Sequence, residues 1–282
     1  MIEEILEYKT QKNINIKMNF YKSSTNRKNI TILYFHGGGL LYGTRDDLPK
    51  PYLEKFLNAG YDFLTLDYPL APESNIKTIV DSAYEGVKYF IENHNKILGL
   101  ESNEYILFGR SAGGYLSFIT CNNIIKTNEK LPLAIISLYG YTRLDEKEFI
   151  TPSKHYLKLP LVTDESVKKI ISNAPITYGP MNERFSLYIK ARQAGNWIET
   201  LCENVNTLDY SITEEELLAF PKTILVAASS DPDVPYRISK KLSKTIKNSK
   251  LITFYEDVHD FDRDLKSPSG KEAYDKIIQW LE

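Results

Sequence analysis

A chain of 282 residues with 42% apolar residues is long enough for one large α/β domain with an insertion, or for two small domains. Its formal net charge of −2 argues against a nucleic-acid partner or a charged membrane surface as a partner. The N-terminus lacks the basic start and apolar run of a signal peptide, and no apolar stretch is long enough to cross a bilayer, so membrane insertion is not expected. Cys121 and Cys202 are expected to be buried free thiols, which favours a cytoplasmic location.

The first half of the chain alternates between strand-like and helix-like segments. Apolar and polar residues alternate in two strand-like runs within 5–21, whereas the run at 30–35 is apolar almost throughout, as in a strand covered on both faces. The segments that follow are a helix at 49–59, a strand at 61–68, a helix at 78–94, a strand at 105–108, a helix that ends near residue 126 and a strand at 133–139. This alternation predicts a doubly wound, mostly parallel sheet with right-handed crossovers.

Residues 141–219 have a different pattern, with no buried-strand run and with several prolines. Short helices are predicted at 164–173, 183–203 and 213–219, so this segment is expected to form a helical cap inserted into a core of residues 1–140 and 220–282. His155 is a weak candidate for a substrate contact. The sheet is predicted to resume with strands at 223–228 and 251–255 and helices at 236–247 and 269–281. Five aromatic residues of the cap either line a pocket or form the cap's own core: Tyr141, Tyr156, Tyr178, Tyr188 and Trp197.

The segment Gly109-Arg110-Ser111-Ala112-Gly113 reads G-x-S-x-G and lies between a β-prone run and a run that can be helical. A strand, tight turn and helix of this kind exposes the central serine at the carboxyl end of the strand, where the free N–H groups of the helix also point. The flanking glycines lack the Cβ atoms that would collide in the turn. A glycine turn with an incidental serine is the simpler alternative, and the flanking strand and helix favour Ser111 as a nucleophile.

A second glycine-rich motif, His36-Gly37-Gly38-Gly39, follows the strand at 30–35. Its backbone N–H groups can be oriented toward the negatively charged oxygen of an acyl-transfer transition state. A phosphate-binding loop needs a different glycine spacing and usually a lysine, so the oxyanion interpretation is favoured over a phosphate site or a flexible loop. His36 is expected to brace this loop, and Asp67 and Glu73 are expected to brace the proline-containing loop after the strand at 61–68.

A nucleophilic serine needs a base, and the base needs a partner that fixes its tautomer. In enzymes with this strand–turn–helix the chain order is serine, acid, histidine. His155 precedes any acid at a strand end in the resumed sheet, so His259 is the predicted base. The predicted acid is Asp231 or Asp233, which both follow the strand at 223–228.

Taken together, these motifs resemble the α/β-hydrolases of the hormone-sensitive lipase type, the bacterial carboxylesterases with an HGGG motif. The resemblance implies an α/β-hydrolase fold, with Ser111 as nucleophile, Asp231 as acid and His259 as base. It also implies an oxyanion hole formed by the backbone N–H groups of Gly38, Gly39 and Ala112. Asp233 would then be a turn residue or the cap of the helix at 236–247. The matching segments span nearly the whole chain in the family's order: His36–Gly39, Asp67–Glu73, Gly109–Gly114, Asp231–Pro235 and His259–Phe261.

The chain also departs from the family pattern at several places. The family often has aspartate at the position of Arg110 and arginine at the position of Pro69. Most members have an N-terminal helical cap, whereas the N-terminus here is predicted to form strands. The cap must therefore come mainly from residues 141–219.

The predicted function is the hydrolysis of a small-molecule carboxylic ester, with a small or short acyl group, through an acyl-enzyme. Neither a metal nor an organic cofactor is expected. A peptidase or amidase would use the same catalytic groups, and a non-catalytic binding protein on the same scaffold is the third alternative. The presence of nucleophile, acid and base argues against the third, and a homodimer is compatible with the sequence.

Overall fold

A computed structural model describes residues 2–282. Within these residues the fold is built on one sheet of eight strands. The strands are β1 (Ile2–Lys9), β2 (Asn15–Lys22), β3 (Ile30–Phe35), β4 (Asp62–Leu66), β5 (Glu104–Arg110), β6 (Ala134–Leu138), β7 (Thr223–Ala228) and β8 (Ser249–Phe254). The α-helices are α1 (Lys50–Asn58), α2 (Ile76–Leu98), α3 (Ala112–Thr127), α4 (Asp164–Lys168), α5 (Met181–Ala194), α6 (Trp197–Leu201), α7 (Glu214–Leu217), α8 (Tyr236–Thr245) and α9 (Pro268–Leu281). Short 3-10 helices lie at Tyr156–Lys158 and Thr207–Tyr210.

The strand order in the sheet is β1-β2-β4-β3-β5-β6-β7-β8. β1 pairs antiparallel with β2, and β2 with β4, whereas all later neighbours are parallel. The predicted mostly parallel sheet is confirmed, and the two strand-like runs near the N-terminus form its antiparallel edge. Because parallel strands point the same way, the carboxyl ends of β3, β5, β7 and β8 meet at one edge of the sheet, where open α/β sheets bind ligands.

The central strands are buried on both faces, which explains their continuous apolar sequences. In β5, Tyr105 and Leu107 pack into one hydrophobic core, and Ile106 and Phe108 pack into the other. Helices α2 and α3 cover the first core, and helices α1 and α9 cover the second. The two cores therefore cover β5 on its two faces.

Residues 141–219, called the insertion below, contribute no strand to the sheet that is described for residues 2–282. β6 and β7 pair directly with each other, from Ile135 opposite Thr223 to Leu138 opposite Val226. The helix predicted at 183–203 is two helices, α5 and α6, which are separated at Gly195. This glycine has a φ of +74°, and a Cβ atom there would lie 2.5 Å from the Pro152 ring.

Some helix ends also differ from the sequence prediction. Helix α2 extends from Ile76 to Leu98 because the Asn75 side chain accepts a hydrogen bond at its N-terminus and Gly99 ends it with a φ of 58°. Cys121 and Cys202 are buried free thiols, as expected. Among residues 2–282, none of the helices combines the length and the apolar character that crossing a bilayer requires.

Candidate active site

Ser111 stands in the tight turn between β5 and α3, with φ 53° and ψ −118°. A positive φ is unusual for a residue with a side chain and indicates a conformation that its surroundings enforce. The turn is tight because a Cβ atom on Gly109 would lie 2.0 Å from the Gly113 carbonyl, and one on Gly113 would lie 2.0 Å from the Phe35 carbonyl oxygen. Both glycines are therefore required by close backbone contacts, and the turn projects Ser111 from the edge of the sheet.

The three predicted side chains Ser111, His259 and Asp231 lie together at the carboxyl edge of the sheet. The Ser111 Oγ is 2.8 Å from the His259 Nε2, and the His259 Nδ1 is 2.7 Å from the Asp231 Oδ2. The other Asp231 oxygen accepts hydrogen bonds from the backbone N–H groups of Asp233 and Val234, at 2.8 and 2.9 Å. This carboxylate is therefore fixed by its own loop and can hold the imidazole in the tautomer that accepts a proton from serine.

The environment of His259 favours its protonated form. Burial lowers the pKa of the imidazole, but the charge and the hydrogen bond of Asp231 raise it. The negative charges of Asp233 and Asp260 raise this pKa further. Together these groups raise the pKa of His259 from 6.5 to about 9. A base with a raised pKa is a stronger proton acceptor, but a smaller fraction of it is neutral at pH 7.

With His259 as the predicted base, the pH dependence of kcat/KM should follow the protonation of its imidazole, since only a neutral imidazole can accept a proton. Activity on an uncharged ester should rise with pH and level off only above a pH of about 9. Asp260→Asn removes one of the negative charges that raise this pKa, so its profile should be displaced to lower pH. A wild-type inflection near pH 6.5, or a profile that Asp260→Asn leaves in place, would contradict this electrostatic account.

Gly38 and Gly39 follow β3 and lie beside Ser111. Their φ angles are +106° and +60°, and a Cβ atom would lie 1.9 Å from the Tyr42 carbonyl oxygen at the first and 2.3 Å from the Tyr188 ring at the second. Within residues 2–282, the N–H groups of Gly38 and Gly39 donate no hydrogen bond. Ala112 is the first residue of α3, where helical N–H groups have no partner inside the helix. The arrangement can therefore offer free donors on the Ser111 side of the pocket.

The His36 ring lies between the glycine loop and Tyr68. Its ring stacks on Tyr68 with 4.2 Å between centroids, and its Nδ1 lies 2.7 Å from the Gly37 carbonyl oxygen. The Tyr68 hydroxyl donates to the His36 carbonyl oxygen at 2.9 Å. Burial lowers the pKa of His36, so it stays neutral. These contacts agree with the expected bracing role and leave the imidazole away from Ser111.

The two other expected bracing residues are ion-paired. Asp67 pairs with Arg45 at 2.8 Å, and Glu73 pairs with Arg184 of helix α5 at 2.8 Å. Both carboxylates are almost completely buried. The ion pair between Glu73 and Arg184 connects the loop after β4 to the insertion.

Asp233 lies in the bend before α8, but it does not cap this helix. The N-cap residue of α8 is Pro235, and no side chain forms a capping hydrogen bond there. Asp233 is only 4% exposed and accepts hydrogen bonds from the hydroxyls of Tyr188 and Tyr156, at 2.9 and 3.1 Å. It also forms an ion pair with Arg192 at 3.1 Å. The four-residue spacing of Tyr188 and Arg192 places both on one face of helix α5, but it does not identify Asp233 as their partner.

Arg110 lies beneath the turn in a buried network. Its guanidinium pairs with Asp262 at 3.0 Å and with Asp47 at 3.4 Å, and its Nε donates to the Tyr139 hydroxyl at 3.0 Å. Tyr139 and Tyr274 both donate to Asp262, at 2.6 and 2.9 Å. Since Asp262 follows His259 by three residues, the network joins the serine turn to the His259 loop.

The pocket at Ser111 is small, with a volume of about 30 Å³. Tyr188 lines it, whereas the other four aromatic candidates and His155 do not: Tyr178 is 58% exposed, and Tyr141, Tyr156 and Trp197 are buried. A larger groove of about 500 Å³ lies against β1 and α2 and contains none of the predicted catalytic side chains. The small pocket at Ser111 is lined by Gly37, Gly38, Gly39, Tyr42, Asp47, Arg110, Ser111, Tyr139, Tyr188, Asp233, His259, Asp260 and Arg263.

Comparison with known proteins supports the same fold. The family model described as alpha/beta hydrolase fold matches residues 32–263. A solved structure of an alpha/beta hydrolase superfamily protein from Enterococcus faecalis is 30% identical, with a TM-score of 0.84, and the match covers 99% of this chain and 98% of that one. A protein of unknown function from Staphylococcus aureus has a TM-score of 0.88 at 24% identity, with 99% and 98% covered, which shows the fold alone.

Curated relatives match shorter stretches. An arylesterase from Saccharolobus solfataricus is 25% identical over 173 residues, which are 59% of this chain and 55% of the relative. Hormone-sensitive lipase from Homo sapiens is 29% identical over 42% of this chain and 11% of the lipase. The chain thus spans about half of the first and a small part of the second. Because the family model covers most of the chain and the sheet agrees with it, the chain belongs to the α/β-hydrolase fold family.

Proposed function

We propose that the chain hydrolyses carboxylic esters with a short acyl group through an acyl-enzyme on Ser111. The observation that carries this proposal is the continuous hydrogen-bonded chain from Ser111 through His259 to Asp231, at 2.8 and 2.7 Å. The free N–H groups beside it supply what a tetrahedral oxyanion needs. Relatives named arylesterase and, from Pseudomonas putida, ethyl acetate hydrolase support an ester as the substrate class.

The proposed reaction has two halves that use the same groups. His259 takes the Ser111 hydroxyl proton as Oγ attacks the ester carbonyl, and the N–H groups of Gly38, Gly39 and Ala112 bind the oxyanion. The imidazolium then gives its proton to the departing alcohol oxygen as the C–O bond breaks. In the second half His259 takes a proton from a water molecule, whose oxygen attacks the acyl carbonyl. The imidazolium then returns this proton to the Ser111 Oγ as the acyl C–O bond breaks, which releases the carboxylic acid and restores the serine hydroxyl.

In this proposal the insertion is a cap that limits the size of the acyl group. Tyr188, on helix α5, closes the pocket next to Gly39, and the buried Asp233 carboxylate also lines it. A pocket of about 30 Å³ favours a small acyl group over a long one. A long acyl chain would have to displace a buried ion pair and closely packed rings, which is costly.

A series of p-nitrophenyl esters should show this size limit. We expect kcat/KM to be highest for acetate, to fall about tenfold or more by butyrate and to be lowest for octanoate, since an extra methylene in a filled pocket costs about 1–3 kcal/mol. Aminoacyl p-nitroanilides, measured beside the esters, test the peptidase alternative. An optimum at octanoate would contradict the size limit, and efficient anilide cleavage would contradict the choice of ester over amide.

A further inference from the structure

One face of helix α5 carries three buried polar side chains at four-residue spacing, Arg184, Tyr188 and Arg192. The Nε of Arg184 donates to the Leu41 carbonyl oxygen at 2.9 Å, just beyond the glycine loop. Arg192 pairs with Asp233 at 3.1 Å, just beyond the Asp231 position. A single helix of the insertion therefore contacts both loops that would carry the oxyanion donors and the acid.

Tyr188 contacts both loops with one side chain. Its ring lies so close to Gly39 that a Cβ atom there would come within 2.3 Å of it. Its hydroxyl donates to the Asp233 carboxylate at 2.9–3.0 Å. The backbone N–H of Asp233 in turn donates to the Asp231 side chain at 2.8 Å. The position of the tyrosine ring is thereby tied to the loop that fixes the acid.

Trp197, from helix α6, holds the same glycine from another side. Its Nε1–H donates to the Gly39 carbonyl oxygen at 2.9 Å, and its ring is buried at 5.4 Å from the Tyr188 ring. Glycine has the greatest backbone freedom of any residue, and Gly39 adopts a φ of +60°. A packed ring on its Cα and a hydrogen bond to its carbonyl restrict rotation on both sides of this residue.

We propose that Tyr188 and Trp197 are positioning residues for the oxyanion hole, so that the insertion forms part of the catalytic framework as well as the wall of the pocket. The inference rests on the proposed function. Donors to an oxyanion must be aligned before the reaction to stabilise developing charge, and loss of one donor typically costs about 10²–10³ in kcat. A donor that is present but less well aligned should cost less, on the order of tenfold.

The test uses Trp197→Phe, which removes the hydrogen bond to Gly39, and Tyr188→Phe, which removes the tether to Asp233, while each keeps an aromatic ring. With p-nitrophenyl acetate we expect kcat to fall about tenfold in each variant, with KM within about twofold of wild type. Affinity for a trifluoromethyl ketone, which binds as an oxyanion adduct, should fall by the same factor as kcat. Circular dichroism at the assay temperature confirms that each variant is folded.

Tyr105→Phe is the matched control. Tyr105 is fully buried near the start of β5, and its hydroxyl donates to the Lys130 carbonyl oxygen at 2.6 Å, far from the serine turn. This variant should lower Tm and leave kcat, KM and inhibitor affinity unchanged. Folded Trp197→Phe and Tyr188→Phe with wild-type kcat, or with a lower kcat but undiminished inhibitor affinity, would overturn the inference. Absence of wild-type hydrolysis that depends on Ser111 would instead count against the proposed function itself.

Discussion

Ser111→Ala is expected to lower kcat for p-nitrophenyl acetate by a factor on the order of 10⁶, the size of effect seen when a serine nucleophile is removed. The physical reason is that the Oγ of Ser111 is the atom that forms the acyl bond in the proposed reaction. Its hydrogen bond to His259 at 2.8 Å is part-buried, and the backbone turn is held by glycine contacts that the substitution leaves in place. Tm should therefore change little.

Labelling with a fluorophosphonate probe gives an independent measurement. Wild-type protein should be labelled at Ser111, and mass spectrometry of the labelled peptide identifies the residue. The Ser111→Ala variant should remain unlabelled. A folded variant that keeps more than a few per cent of the activity would show that another group is the nucleophile.

Asp231→Asn is expected to lower kcat by about 10⁴, as replacement of the acid by its amide does in serine proteases. The Asp231 Oδ2 accepts the His259 Nδ1–H at 2.7 Å, and an amide in its place would stabilise the wrong tautomer or leave the imidazolium unbalanced. Loss of the Asp231 charge also removes the largest contribution that raises the pKa of His259. The residual activity should therefore have its inflection at lower pH.

Asp233→Asn separates the roles of the two neighbouring aspartates. The asparagine amide has the shape of the aspartate carboxylate, but it carries no charge. Arg192 is then buried without a counter-charge, so Tm should fall. Its kcat should fall far less than that of Asp231→Asn, on the order of tenfold, because Asp233 contacts Tyr188 and not the imidazole. Measurement of both variants below their Tm decides the assignment: the reverse ranking of kcat would make Asp233 the acid.

Sequence reasoning succeeds where the determinants are local. The serine turn could be predicted because its conformation needs glycines at fixed spacing from Ser111, and the strands could be predicted from their unbroken apolar runs. The role of Asp233 could not be predicted, because its partners Tyr188 and Arg192 are more than 40 residues earlier in the chain and meet it only in three dimensions. Arg110 was visible as a departure from the family pattern, but its partner Asp262 follows 152 residues later.

The direct pairing of β6 with β7 also bears on how the protein folds. During synthesis the segments with Ser111 and the glycine loop emerge first, whereas Asp231 and His259 emerge only after the insertion. β7 must find its place beside β6 across a long intervening segment, which carries a loop-closure cost and generally slows folding. A nascent chain that stops before β7 lacks Asp231 and His259, the proposed acid and base, and leaves the edge of β6 that pairs with β7 without its partner strand. In the proposed reaction, catalysis therefore requires that the segments after the insertion have joined the sheet.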